Sequence, residues 1–350
     1  MKITYIGQTG LAPLSPPGTN QRANRVQSLA VNAAQAGHDV TLVSSPLFTF
    51  ADLVHVHGLT TATSLLWLAA LISPKTAYVL TIDSLPARPS LAARLILWQA
   101  RRVCDRITVT TRQLQYTLLT AYNTRATYIP DGYVSPSIKP IPAKNFGLRR
   151  GQYVLNYITD KADLSWLAKS YKTLKTSKKI VALVAPASFS DLQAVAKRNK
   201  IDLIELHGHR QLASLASHAA LIILPGLNTP LDVILQAMAA KKAIIASTYH
   251  LHQETLGTSA QFVQAGDTKS LASALQNIIN NKNNQAKYAK QAHRRASAHF
   301  QLSRIIPEYL RLYNSLATQS ESPLPSLDGI ISDQRPLFTR RHLAHFRYTS

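Results

Sequence analysis

The chain has a single cysteine, Cys104, among 350 residues. That excludes an internal disulfide framework and any zinc site built on several thiolates. Acids are scarce as well: 17 Asp and Glu stand against 39 Lys and Arg, a formal net charge of +22. A charge of that sign favours anionic partners such as acidic lipid, polyphosphate or nucleic acid, although a generally basic proteome would produce it too. The basic residues are spread along the chain and form no RNA- or DNA-binding motif, which argues against nucleic acid. Long apolar runs are missing; the longest, Ser64 to Ile72, is far too short to span a bilayer. The opening MKITYIGQTG has none of the apolar core of a signal peptide, so the expected location is the cytoplasm. Aromatics make up only 7% of a chain that is 46% hydrophobic, a balance suited to a soluble α/β protein.

What is present is alternation. A length of 350 residues has room for two domains, each with its own core. Lys2 to Gly7 reads as a strand, followed by a Gly- and Pro-rich loop over 8–20. Asn20 is a candidate N-cap, Val26, Leu29, Ala30 and Ala33 recur at helical spacing, and Gly37 closes that helix. Strands over 39–44, 53–57, 76–82, 106–110 and 126–129 follow, separated by helices over 60–71, 89–103 and 112–121. Residues 133–146, with three prolines and two lysines, read as a linker. A second set of strands is expected near 153–158, 179–185, 202–206, 219–224, 242–247 and 260–264. Residues 318–350 lead in with Ser and Pro and end in a basic, aromatic stretch, and are expected to be a flexible tail.

The most informative stretch is Leu224 to Ser247. Leu221 to Leu224 is a continuous apolar run, as in a parallel strand covered on both faces. Pro225 and Gly226 break it, and Thr229 is the expected N-cap of a helix with Pro230 at its first position. A strand feeding a helix N-terminus is where α/β proteins hold phosphate, because free N–H groups point at the ligand. Here, however, Pro230 removes one N–H, and Asp232 places a negative charge at the positive end of the helix.

This segment resembles the donor-sugar motif of the retaining glycosyltransferases of family 4. Pro225, Leu235, Ala237, Met238, Ala239, Ala246 and Ser247 fall in step with the family pattern. Other stretches follow in family order: Ala36-Gly37-His38-Asp39-Val40, Asp52 to Gly58, Cys104 to Ile107, Ile129-Pro130-Asp131-Gly132, Gly147 to Tyr153, Gly266-Asp267, and Phe300 to Leu316. The resemblance covers residues 1–317. It implies an α/β protein of the GT-B fold, with two Rossmann-like domains facing a cleft and a last helix crossing back to the first. The domains would be an acceptor domain over 1–132, the linker 133–146, a nucleotide-sugar donor domain over 147–299, the crossover helix 300–317 and the tail.

The resemblance also assigns roles. The family moves sugar from a nucleotide diphosphate-sugar, using one Glu on the sugar, one Glu on the ribose, an Arg and a Lys on the diphosphate, and a His in the first domain. In this sequence Asn228 and Gln236 stand at the two glutamates, Thr159 at the Arg, Lys161 near the Lys, and Asp83 at the His. Asp83 and Asn228 are thus the candidate catalytic positions. Gly18, Lys161, Gly208, His209, Thr229, Leu231 and Gln236 are candidate donor-binding residues, with Thr19 and His57 on the acceptor side. The nucleotide-sugar would be a substrate, and neither a cofactor nor a metal is expected.

Three His-x-His pairs, His55/His57, His207/His209 and His250/His252, could share a strand face, but no acid or thiol accompanies any of them, so they read as ordinary strand-end or loop histidines. Residues 87–103 form a basic amphipathic helix, either packed on the sheet with solvated arginines or resting on anionic lipid. The function expected is a divergent glycosyltransferase of cell-surface polysaccharide or glycolipid assembly. Its acceptor would be a glycan or a lipid-linked sugar, met in the cytoplasm or peripherally at the inner face of the membrane. The alternative is a non-catalytic homologue that binds a glycan, a nucleotide or a partner enzyme.

Overall fold

Runs of β-branched and aliphatic residues that alternate with helical spacing fold here into parallel sheets. The structure is a computed structural model that describes residues 1–6, 21–47, 49–59, 61–85, 91–133, 140–172, 174 and 176–321. The loop over 8–20, with Gly18, Thr19 and Asn20, and the tail beyond residue 321 lie outside the described residues.

The first sheet holds β1 (Lys2–Ile6), β2 (Asp39–Val43), β3 (Leu53–His57), β4 (Ala77–Ile82), β5 (Arg106–Val109) and β6 (Thr127–Tyr128) in the order β2-β1-β3-β4-β5-β6. All of its pairings are parallel. The second holds β7 (Tyr153–Ile158), β8 (Lys179–Val184), β9 (Asp202–Glu205), β10 (Leu221–Leu224), β11 (Ala243–Ser247) and β12 (Gln261–Val263) in the order β12-β11-β10-β7-β8-β9, again parallel throughout. Two doubly wound sheets of this kind, with helices between the strands, are the expected α/β architecture.

The chain divides into two compact units. Among the described residues, one is built on 1–6, 22–130 and 303–321, the other on 131–302. In the second unit the two-residue period of a strand sorts the core. Tyr153, Leu155, Tyr157, Ile222, Leu224, Ile244 and Ala246 face one layer, while Val154, Ile158, Leu221, Ile223, Ala243 and Ile245 face the other. The helices His209–His218, Leu231–Ala239 and Lys282–His299 cover the first face. Lys161–Lys172, Pro186–Arg198 and Thr268–Asn280 cover the second. Each fully buried Leu or Ile in these layers contributes about 1.5–3 kcal/mol.

Local chemistry sets the helix ends. Asp267 accepts from the N–H groups of Lys269 and Ser270, and Thr111 from that of Leu114, so both helices start on a side-chain cap. The expected helix over 60–71 is divided at Leu65 into Thr61–Ser64 and Leu66–Ile72. The last helix, Leu302–Glu321, returns to the first unit. Its Tyr313 hydroxyl meets His55 Nδ1 at 2.6 Å, and His55 Nε2 meets Thr81 Oγ1 at 2.7 Å. Among the described residues no helix is long and apolar enough to cross a membrane.

Candidate functional site

In a parallel sheet wound in two directions, the crevice opens at the carboxyl ends of the strands where the winding reverses. In the second unit that point lies between β10 and β7. The loops after these strands carry Thr159 and Asp160 and Pro225 to Pro230, and the helices that follow start at Lys161, with Asp163 in the first turn, and at Leu231.

The loop after β10 is held from three sides. Ser247 Oγ, at the end of β11, donates to the Pro225 carbonyl at 2.6 Å. Thr229 Oγ1 donates to the Gly226 carbonyl at 2.8 Å. A Cβ on Gly226 would lie 2.5 Å from Asp163 Oδ2 and 2.7 Å from Thr159 Oγ1, so only glycine lets the two loops meet this closely. These bonds correct the expected N-cap. Thr229 uses its hydroxyl inside the loop, Pro230 takes the cap position, and no side chain caps the helix Leu231–Ala239.

The loop after β7 closes as a reciprocal cap. Asp160 Oδ1 accepts from the N–H of Asp163 at 2.9 Å, and Asp163 Oδ2 accepts from Thr159 Oγ1 at 2.9 Å. Asp163 is buried, and that burial holds its carboxyl above the usual carboxylate range, with the Thr159 hydrogen bonds pulling the other way. Lys161, the expected diphosphate cation, is exposed at the first position of the same helix.

Asp232 is buried in the first turn of the helix Leu231–Ala239, not turned to solvent. Its Oδ2 lies 3.9 Å from Nδ1 of His209. Burial lowers the pKa of His209, which favours its neutral imidazole. His209 follows Gly208, whose φ of 155° and ψ of 172° belong to a region that only glycine adopts freely. Tyr157 on β7 also faces Asp232. Its hydroxyl is pushed up in pKa by burial first and by that carboxylate second.

Gln236 lies one turn further along this helix, with 8% of its surface open. Among the described residues its side-chain amide makes no hydrogen bond. Leu231 is buried in the same layer. Asn228 stands exposed beside Leu227 at the tip of the loop. One edge of the second sheet therefore gathers Lys161, Gly208, His209, Asn228, Thr229, Leu231 and Gln236. Ser247, the end of the donor motif, joins them, as do Asp163 and Tyr157, which were not singled out in the sequence; the spacing Asp160-x-x-Asp163 is the signal that could have found the first of these two.

In the first unit, His57 and Asp83 sit at the carboxyl ends of neighbouring strands, since His57 pairs with Thr81 in register. Asp83 is half-buried and accepts from Ser84 Oγ at 3.2 Å. His57 has no exposed surface, and its ring lies 4.1 Å from that of His55. Among the described residues no group of His, Cys, Asp and Glu could hold a metal ion.

Residues 153–281 match the family model of glycosyl transferases group 1. That span runs from β7 through the helix after β12 and contains the second-unit residues above. No curated protein matches the sequence. Among solved structures, a sucrose-phosphate synthase from Thermosynechococcus elongatus is 17% identical, with 91% of this chain and 100% of that one covered at a TM-score of 0.70. HepE of Anabaena, solved with UDP and glucose, is 15% identical, with coverage of 90% and 100% and a TM-score of 0.70. A glycosyltransferase from Rickettsia africae is 13% identical, with coverage of 90% and 98% at the same TM-score of 0.70. At such identities the likeness speaks for the fold, which is that of the GT-B glycosyltransferases.

Proposed function

We propose that the chain is a divergent glycosyltransferase of family 4. It would take a sugar from a nucleotide-sugar and pass it to a cell-surface glycan or lipid-linked acceptor, in polysaccharide or glycolipid assembly. The observation that carries this reading is Gln236, an uncommitted amide at the switch point of the sheet that matches the group 1 model. An amide can donate to one ribose hydroxyl and accept from its neighbour. Around it, Lys161 supplies positive charge at a helix start, where a diphosphate gains from both the cation and the helix end. Gly208, His209, Thr229 and Leu231 shape the wall. HepE, a protein of the same fold, was solved with UDP and with UDP-glucose, which supports a nucleotide-sugar as the substrate here. Asp83 and Asn228 remain the candidates at the reacting sugar, Gly18 at the donor, and Thr19 and His57 on the acceptor side. No separate cofactor is needed. The setting would be the cytoplasm, peripheral to the inner face of the membrane.

A second reading, a non-catalytic homologue that binds a nucleotide, glycan or partner enzyme, draws on two observations. Both helix starts at the switch point carry a buried carboxylate, Asp163 and Asp232, where a diphosphate would seek positive potential. Thr159 is neutral at the position where the family's cation would stabilise the leaving group, and Asn228 is neutral at the position of the glutamate on the sugar.

Thermal shift against a panel of nucleoside diphosphates, followed by a sugar-release assay with each binder, separates the two. A ligand of the folded state raises the melting temperature. The first reading expects a shift and slow but measurable turnover, and a shift without turnover gives the second. No shift with any nucleotide removes nucleotide binding from both.

A further inference from the structure

The second sheet carries its charges at opposite edges. Asp160, Asp163 and Asp232 lie past the carboxyl ends of its strands, on the elements after β7 and β10. At the amino ends the chain enters β7 through Arg149 and Arg150, β8 through Lys178, and β11 through Lys241 and Lys242. Among the described residues the one carboxylate that opens a strand at this edge is Asp202 of β9, and Lys179 already meets it at 3.3 Å. Lys241 follows the helix Leu231–Ala239, where a cation answers the helix end and needs no ligand. Arg150 and Lys242 are different. Arg150 closes no α-helix, and Lys242 is half-buried, its pKa lowered by burial first and by the Arg150 charge second. Neither side chain has a hydrogen bond or an ion pair among the described residues.

The strand order brings these cations together. β10 lies between β11 and β7, and Leu221 pairs with Ala243 on one side and with Val154 on the other. The residues that lead into β10 therefore pass between those that carry Arg150 and Lys242. Among them, His218 accepts from the Gly151 N–H through its carbonyl at 2.8 Å, and both of its ring nitrogens are buried without a partner among the described residues. Lys178 Nζ comes in from the β8 side and donates to the Gly151 carbonyl at 2.7 Å. Cations held together with no acid repel one another, and an anion among them removes that repulsion. We propose that Arg150, Lys242 and Lys178, around the entry to β10, form a binding site for a small polyphosphate anion. The guanidinium fork matches phosphate oxygens in pairs, and the ammonium groups add point charges. β7 and β11, which follow Arg150 and Lys242, are two strand spacings apart, about 9–10 Å, and that span suits a short chain of phosphates better than a single one. The site lies at the opposite edge of the sheet from the switch point, so it does not rest on the nucleotide-sugar reading.

The experiment is calorimetric titration of the full chain with inorganic tripolyphosphate at low salt. The parent is compared with Arg150→Gln, Arg150→Gln/Lys242→Gln, Lys269→Gln/Lys290→Gln and Lys161→Gln. Lys269 and Lys290 are exposed on the helices Thr268–Asn280 and Lys282–His299, so their double variant lowers the net charge as much as the double variant at the site does. Melting temperatures serve as the folding control. Arg150 is exposed, and its single variant keeps the comparison usable if changing the half-buried Lys242 unsettles the fold. The parent is expected to bind saturably. Arg150→Gln should bind about threefold or more weakly and the double variant at the site about tenfold or more weakly. Lys269→Gln/Lys290→Gln and Lys161→Gln should stay within about twofold of the parent, since exposed charges further away are screened. Three results would overturn the proposal. One is no saturable binding by the parent. Another is an equal loss in Lys269→Gln/Lys290→Gln, which would mean a general field of charge. The third is a loss in Lys161→Gln with none at Arg150, which would assign the anion to the switch point.

Discussion

β3 and β10 are both fully buried strands in the middle of a six-stranded parallel sheet, yet one reads LVHVH and the other LIIL. His55 is tolerated in β3 because both of its ring nitrogens are matched, one by Tyr313 and one by Thr81, which in turn meets Thr108 at 2.6 Å. Those bonds fasten the returning helix to the first sheet. β10 carries no polar side chain, and the polar groups lie just beyond its end, on Pro225, Gly226 and Thr229. In the first unit buried polarity fixes the position of an element. In the second it shapes a loop at the sheet's open edge, where a ligand can reach it.

Removing the polar centre of the first unit should give the largest effect. His55→Leu removes the imidazole that both the Tyr313 and the Thr81 hydroxyls meet in a buried layer and should cost about 2–3 kcal/mol, read as a lower denaturant midpoint. Tyr313→Phe should cost less, about 1 kcal/mol. Equal midpoints for parent and His55→Leu would mean that the helix is held by packing alone, and the contrast between the strands would lose its meaning.

The second unit is expected to be most sensitive at its loop. Gly226→Ala forces a methyl towards Asp163 and Thr159 and should destabilise by about 1–3 kcal/mol. Asp163→Ala in the same chain should recover part of that loss, since it removes the nearer of the two groups that the methyl meets and frees Thr159 Oγ1 to turn away. A double-mutant cycle with no coupling would show that the two loops do not touch in solution.

A smaller effect is expected from Asp163→Asn, and its sign depends on pH. Burial raises the folded pKa of Asp163, so the folded chain holds that proton more tightly than the unfolded chain does. As pH climbs from the ordinary carboxylate value towards the raised one, the unfolded state loses its proton first and stability falls; above that window the loss is constant. Asp163→Asn keeps an acceptor for Thr159 without the charge. It should therefore match the parent in acid and exceed it slightly at neutral pH. A variant less stable than the parent at neutral pH would mean that the ionised carboxylate is net favourable in its capping bonds.

Much of this was legible from residue order. The strands could be placed because β4, β7, β10 and β11 are buried on both faces and read as apolar runs. The second-unit loop was legible through Pro225, Gly226 and Pro230, since breakers at a strand end leave few conformations. Its hydrogen bonds were not. Thr229 reads as a cap at its sequence position, but the Gly226 carbonyl competes for its hydroxyl, and that competition is decided by the fold of the loop. Asp163 escaped notice because its burial depends on Gly226, which is far away in sequence. Tyr309 and Tyr313 read as part of a helical pattern, with nothing to say that His55 would be their partner. Long-range polar pairs leave no periodic signature, whereas apolar layers do.

The central claim is that the switch point of the second unit binds a nucleoside diphosphate through Gln236. Calorimetric titration of UDP into the parent, Gln236→Ala and Asp232→Asn tests it. The parent should bind; Gln236→Ala should lose about 1–2 kcal/mol, the scale of neutral hydrogen bonds; and Asp232→Asn should bind more tightly, because a negative charge has left the helix start. Binding that Gln236→Ala leaves unchanged, or no heat from any of the three proteins, would contradict the account and leave Gln236 as a packing residue on its helix.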